Sequence, residues 1–267
     1  MRKNLVVALA ITFWAPIAGA QFVAPGGVLP VVANTPGAEG TFWRSDVSVL
    51  NINDWDVSII LILQPEIRNG EQTFEPVVTD PINIPAGQQL TMPNVVQTEF
   101  GLINKKGALS VLPLDGSPLS IGSRTYTFGT DGGSFGQDIY SAIAAGTAWA
   151  PGVRQDSFFR TNVGVFLPLD PLPGNTVVFT VTVFDADGTV AGSGTFNFTT
   201  AGVLQKNVQV FGVENMVDGY VVLSCSDPSV AWYGYASQVD QTTGDAVYRA
   251  ARGFQGSLPA TPTYPPG

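Results

Sequence analysis

The sequence predicts an all-β chain built as two tandem immunoglobulin-like antiparallel β-sandwiches. Three observations carry this. Apolar residues alternate with polar ones along several short runs, Gly, Pro and Asp break those runs at close intervals, and four blocks occur twice in the same order. Alternation with period two places one set of side chains on a single sheet face, as in Val177, Phe179, Val181 and Val183 against Val178, Thr180 and Thr182.

The elements follow in chain order. Arg2 and Lys3, the apolar residues 5–14 and the small trio Ala18-Gly19-Ala20 predict a secretory signal over residues 1–20, cut before Gln21. The apolar stretch is short of the roughly 20 residues that span a bilayer, so no membrane span is expected after cleavage. A first sandwich is expected over 21–142, a second over 143–253, and a loose proline-rich tail over 254–267.

The repeat rests on four matches. Thr41-Phe42-Trp43-Arg44-Ser45-Asp46-Val47-Ser48-Val49 aligns with Ser157-Phe158-Phe159-Arg160-Thr161-Asn162-Val163-Gly164-Val165. Ala86-Gly87 aligns with Ala201-Gly202, and Gly107-Ala108-Leu109-Ser110-Val111 with Gly219-Tyr220-Val221-Val222-Leu223. Gly136-Gln137-Asp138-Ile139-Tyr140 aligns with Gly244-Asp245-Ala246-Val247-Tyr248. A duplicated chain buries the same positions twice, so Val47 and Val163 are both expected in cores.

Strands are expected near 42–50, 57–63, 88–92, 107–112 and 119–128 in the first half. The run 57–63 is apolar on both phases and predicts a central strand covered on both faces. Asn94 is expected to cap a helical turn that Gly101 ends. Asp187-Gly188 supplies the positive φ of a tight hairpin. Residues 143–152, where Ala, Gly and Pro collect, are expected to form the joint between the halves.

The Trp43-Arg44-Ser45-Asp46 and Phe159-Arg160-Thr161-Asn162 blocks resemble an "RT[DN]" strand. With Ser123-Arg124-Thr125-Tyr126, Gly133-Ser134-Phe135-Gly136-Gln137, Tyr235-Ala236-Ser237 and Thr243-Gly244-Asp245, most of the mature chain is similar to tandem domains of secreted bacterial proteins. The resemblance implies a β-sandwich at the cell exterior and names no activity. Arg124 has no basic counterpart in the second half, where Tyr235 falls nearby.

Composition removes most catalytic chemistry. Without histidine there is no Ser-His-Asp triad, no Cys-His dyad and no His-based zinc site. Cys225 is the only cysteine, so no internal disulfide forms and thiolate clusters are out. Gly132-Gly133-Ser134-Phe135-Gly136 fits the G-x-S-x-G pattern, but that motif needs a strand-to-helix turn and a histidine; a glycine-rich hairpin is expected instead. Asp185-Ala186-Asp187-Gly188 opens like a calcium loop but lacks the later bidentate Glu, so it too reads as a turn. No catalytic residue, metal or cofactor is expected.

The net charge of −9 becomes about −11 once Arg2 and Lys3 leave, which repels nucleic acid. Ligand-contact candidates are the repeated Arg44 and Arg160 and the aromatic residues Trp55, Trp232 and Tyr235. Against this stands a structural role: arginine stems packed on aromatic neighbours, and aromatic rings packed in cores or at the joint. The expected function is a non-catalytic module of the cell surface or exterior, in structure, adhesion or assembly. Its partner is a protein or a surface polysaccharide, with self-assembly open. The alternatives are a carbohydrate-binding protein and, third, a glycosidase working with two carboxylates.

Overall fold

A computed structural model describes residues 24–38, 40–67, 75–129 and 132–253. The signal-like segment, Asn69-Gly70, Asp131 and the 254–267 tail lie outside the described residues.

The first half contains β1 (Ala24–Pro25), β2 (Gly27–Pro36), β3 (Phe42–Asn51), β4 (Val57–Pro65), β5 (Val77–Val78), β6 (Ile82–Ile84) and β7 (Gln89–Met92). A short helix α1 (Val95–Thr98) leads to β8 (Lys105–Pro113), β9 (Pro118–Phe128) and β10 (Ser134–Asp138). The second half contains β11 (Ile143–Ala144), β12 (Thr147–Gln155), β13 (Phe159–Leu167), β14 (Val177–Asp185), β15 (Val190–Phe198) and β16 (Gly202–Asn207). A 3-10 turn (Val208–Phe211) precedes β17 (Met216–Cys225), β18 (Trp232–Asp240) and β19 (Ala246–Gly253).

The chain is all-β, with two antiparallel sheets of ten and nine strands. In the first, β7, β3, β9 and β10 lie side by side, and β2, β8, β4 and the short β5 and β6 form the other flank. The second repeats these pairings strand for strand: β16, β13, β18 and β19, then β12, β17, β14 and β15. The seam differs. β2 pairs with β3 in the first sheet, whereas β12 pairs with β19 in the second.

Both flanks of each sheet point apolar side chains at a shared core. Val47 and Val49 of β3 meet Ile59, Leu61 and Leu63 of β4 and Leu109 and Val111 of β8. Val163 and Val165 meet Phe179, Val181, Val183, Val221 and Leu223. Val47 and Val163 are both fully buried, as the alternation expects. The outer face of β4 is only half buried, so the doubly apolar run 57–63 is covered fully on one side alone.

Residues 143–152, where the joint is expected, are mostly strand. They form β11 and most of β12, and Ala148 and Ala150 sit in the same core as Trp232. Pro151 and Gly152 mark a bulge: the register shifts after Pro151, as it shifts between Leu29 and Val32, which flank Pro30, in β2. Proline donates no ladder hydrogen bond and is accommodated at such shifts.

Gly107 and Gly219 occupy equal places in β8 and β17. A Cβ on Gly107 would overlap the carbonyl of Gln64, and one on Gly219 the carbonyl of Phe184. Both glycines thus permit a close approach of neighbouring backbones. Gly107→Ala or Gly219→Ala is expected to cost about 1–3 kcal/mol by overpacking, read by urea unfolding against the neutral control Gly122→Ala, whose Cβ meets nothing within 4 Å.

Asn94 precedes α1 in the left-handed conformation (φ 47°), so its side chain does not cap the helix. Its amide group donates to Gln97 Oε1 (2.8 Å), and its backbone N–H donates to Asp46 Oδ1 (2.8 Å). Gly101, with φ 65°, ends the turn as expected, donating to the Gln97 carbonyl.

Candidate functional site

The halves meet through one face of the second sheet. Along β13 the alternation sends Val163, Val165 and Leu167 inward and Arg160, Asn162, Gly164 and Phe166 outward; on β18, Trp232 and Ala236 point inward and Tyr233, Tyr235 and Ser237 outward. Phe166 stacks on Tyr233 (5.9 Å between centroids, 23°), and the pair packs with Val203, Val28 and Ala108 in a small core shared by both halves. Around it, Ile67 donates its N–H to the Val203 carbonyl (2.8 Å), and Gln137 and Ser237 exchange hydrogen bonds.

Tyr235 is 1% exposed and lies in the core cluster of the first half. Its ring covers Gly164, where a Cβ would collide with it, and stacks on Tyr248 (5.4 Å). Its hydroxyl donates to Gln205 Oε1 (2.7 Å). Burial, reinforced by the Glu66 carboxylate, pushes the Tyr235 phenol well above its ordinary range; burial does the same to Tyr248.

Beside this contact runs a groove. A cavity of about 370 Å³ is walled by Trp43, Thr125 and Gln137 from the first half and by Arg160, Asn162 and Ser237 from the second. A second cavity, about 340 Å³, continues past Arg160 toward Phe128, Phe135 and the 240–244 turn. The walls offer amides, hydroxyls, the Arg160 guanidinium and the Lys106 ammonium, with Asp240 further along, which suit a polar group. Among the described residues no cluster of three or more Cys, Asp or Glu side chains comes together.

The five candidate residues fall in different places. Arg160 lines both cavities. Arg44 lies on the outward face of the first sheet, its guanidinium over Phe42 (5.3 Å) and Phe128 (5.5 Å), the aromatic packing expected for the stem. Trp55 is 52% exposed in the turn after β3 and donates from Nε1 to Ser117 Oγ (3.2 Å). Trp232 is fully buried, edge-on to Phe179 (5.1 Å), because its phase on β18 points inward. With Trp232 and Tyr235 both enclosed, they do not join Trp55 in a surface platform. Across the ladder, Arg124 corresponds to Ser237 and not to Tyr235, since Asp46 pairs with Arg124 and Asn162 with Ser237.

Sequence reasoning missed an exposed apolar strip on the outer face of β12, β17 and β14. Trp149 (41% exposed) pairs with Val222, and Pro151 pairs with Tyr220, which pairs with Phe184. Phe184 and Tyr220 stack at 5.0 Å and 10°. The signal was present in the outward phase of strands that were scanned only for their inward one.

Next to the repeated arginines, Ser45 and Thr161 brace their strands in a way the sequence reading did not mark. Ser45 Oγ accepts from Ala33 N (2.8 Å) and bonds Thr125 Oγ1 (2.6 Å); Thr161 Oγ1 donates to the Arg154 carbonyl (2.6 Å). Both hydroxyls tie their strand to the strand that precedes it, whereas the two arginines have unlike surroundings.

The motif serine is placed as expected for a hairpin. Gly129 and Gly133 close the β9–β10 turn, and Arg124 donates to the Ser134 hydroxyl (3.0 Å) and carbonyl (3.2 Å). Asp185 and Thr189 close the β14–β15 hairpin around Gly188 (φ 86°), and the Thr189 N–H and hydroxyl hold the Asp187 carboxyl below its usual range. No helix of the described residues is long and apolar enough to cross a membrane. Compared with family models and with curated proteins, the sequence finds no match.

Proposed function

We propose that this chain is an exported, non-catalytic module of the cell surface or exterior, made of two tandem immunoglobulin-like sandwiches and serving adhesion or assembly. The tandem reading is supported by strand pairings that recur in the same chain order and by glycines and prolines at equal places in both halves. The export reading rests on the signal-like start. The observation that carries the role is the apolar strip of Trp149, Pro151, Tyr220, Phe184 and Val222 on one sheet face, with Trp149 and Pro151 exposed and the other three partly so.

A protein surface suits this strip better than a sugar does. Phe184 and Tyr220 stack on each other, which uses one face of each ring and leaves less stacking surface for a pyranose. The Trp149→Ser, Tyr220→Ser double variant is expected to lose retention on envelope preparations from cells that express the chain, with its melting temperature unchanged within a few degrees. Undiminished retention overturns the assignment.

Carbohydrate binding is the second reading, favoured by the groove, where Trp43 stands among amides and hydroxyls. It predicts that Trp43→Ala weakens binding of soluble glycans while the Trp149 and Tyr220 substitutions leave it intact.

A further inference from the structure

The contact between the two halves has a counterpart left open at each end of the molecule. Ladder partners make the comparison residue by residue. Val28 pairs with Ser110 and Trp149 with Val222; since Gly107 and Gly219 are equivalent, Val28 corresponds to Trp149, Ala108 to Tyr220 and Lys106 to Asp218. On the opposing faces, Leu50 pairs with Ser120 and Phe166 with Tyr233, so Leu50 corresponds to Phe166 and Ser120 to Tyr233. By the same register, Ser48 paired with Gly122 corresponds to Gly164 paired with Tyr235, and Arg44 to Arg160.

Inside the chain, small Val28 and Ala108 receive large Phe166 and Tyr233. On the open faces the sizes are exchanged. Trp149 and Tyr220 are large, and they would meet Leu50, Ser120 and Gly122, which leave room; nothing lies within 4 Å of a Cβ built on Gly122. Charge is exchanged as well. Lys106 and Arg160 line the same cavity with like sign, whereas their counterparts, exposed Asp218 and half-buried Arg44, carry opposite signs.

We infer that the strip on β12, β17 and β14 of one copy receives the outer face of β3 and β9 of a second copy, in the arrangement the two halves already use within the chain. The contact is heterologous, so an open assembly always keeps one strip and one receiving face free at its two ends, and association continues head to tail as a filament or until a ring closes. This rests on the assembly reading above and gives it a partner, a second copy of this chain.

Two one-face variants test it. Trp149→Lys blocks the strip, and Ser120→Trp fills the receiving face; both positions point outward, and circular dichroism melting checks that each still folds. In sedimentation velocity the native chain is expected to form a concentration-dependent series, each variant alone to stay monomeric, and an equimolar mixture to give a dimer and nothing larger. Arg44→Asp is expected to weaken association by about tenfold and Asp218→Arg in the same chain to restore it. A native chain that remains monomeric at about millimolar concentration, or variants that mix without dimerising, overturns the inference. If the native chain stays monomeric while Trp149→Lys still abolishes envelope retention, adhesion stands and self-association falls. If copies associate as described but envelope retention ignores Trp149, self-association stands and adhesion to other partners falls.

Discussion

Tyr235→Ala is expected to lower unfolding free energy by about 3–5 kcal/mol, the range for deleting a fully buried aromatic ring. It is also expected to divide one thermal transition into two. The ring stands on β18 of the second half yet lies in the first half's core, so its removal opens a cavity at the contact and uncovers Gly164. Tyr235→Phe keeps the ring and loses only the hydrogen bond to Gln205, leaving a single transition. Scanning calorimetry on the three proteins decides this; one unsplit transition in Tyr235→Ala would show that the halves are coupled elsewhere. The buried phenols also set a pH dependence. Tyr235 and Tyr248 have folded pKa values above the unfolded value of about 10, so both states are neutral and the contribution is intact below that pH. Stability is then lost as pH rises from there toward the folded values, because unfolding releases protons. Urea midpoints should be flat from pH 7 to about 9.5 and fall beyond it, and the fall should shrink in a Tyr235→Phe, Tyr248→Phe double variant.

Ser45→Ala is expected to cost about 2–6 kcal/mol, since two buried groups lose a partner at about 1–3 kcal/mol each. The Ala33 N–H and the Thr125 hydroxyl both bond Ser45 Oγ, and all three residues are essentially buried. Thr161→Val should cost about 1–3 kcal/mol by the same reasoning, because the isostere keeps the volume and strands the Arg154 carbonyl. Arg44→Ala, by comparison, removes packing on Phe42 and Phe128 at a half-exposed site and should cost under about 1 kcal/mol. Equilibrium unfolding of the three variants ranks them; a larger loss for Arg44→Ala than for Ser45→Ala would restore the arginine to the leading place.

Strand positions were legible because one face of each strand is fully buried, and a period of two is then forced on the residues. Val177 to Val183 and the run at Val47 and Val49 are plain cases. β2 and β12 were illegible for a physical reason. A bulge interrupts their alternation, and Pro30, Pro151 and Gly152 look like turn residues when they occupy register shifts within strands. The joint was hidden more deeply. Phe166, Tyr233 and Tyr235 lie on outward phases, and whether an outward ring meets solvent or another sheet depends on how two halves pack, which no local period records. The departures of Gly164–Tyr235 from Ser48–Gly122 and of Phe166–Tyr233 from Leu50–Ser120 are traces of that packing in the sequence, small side chains exchanged for large ones across ladder pairs.

The unlike seams give the halves different closing schedules. In the first, the seam joins 34–36 to 42–44, a few residues apart. In the second it joins 148–149 to 252–253, the earliest and latest parts of that half. A polypeptide that emerges N-terminus first can therefore zip the leading seam while the trailing half is still being delivered, because a short loop closes at little entropic cost. The trailing half has to wait for its last strand, and until then its inward valines and phenylalanines are uncovered. The completed leading half offers a template during that interval, since its β2 and β8 are already in place for the sheet that Tyr233 and Tyr235 will dress. Truncation before β19 would take the clasp from the second half and would also remove Tyr248 and Ala250 from the core of the first.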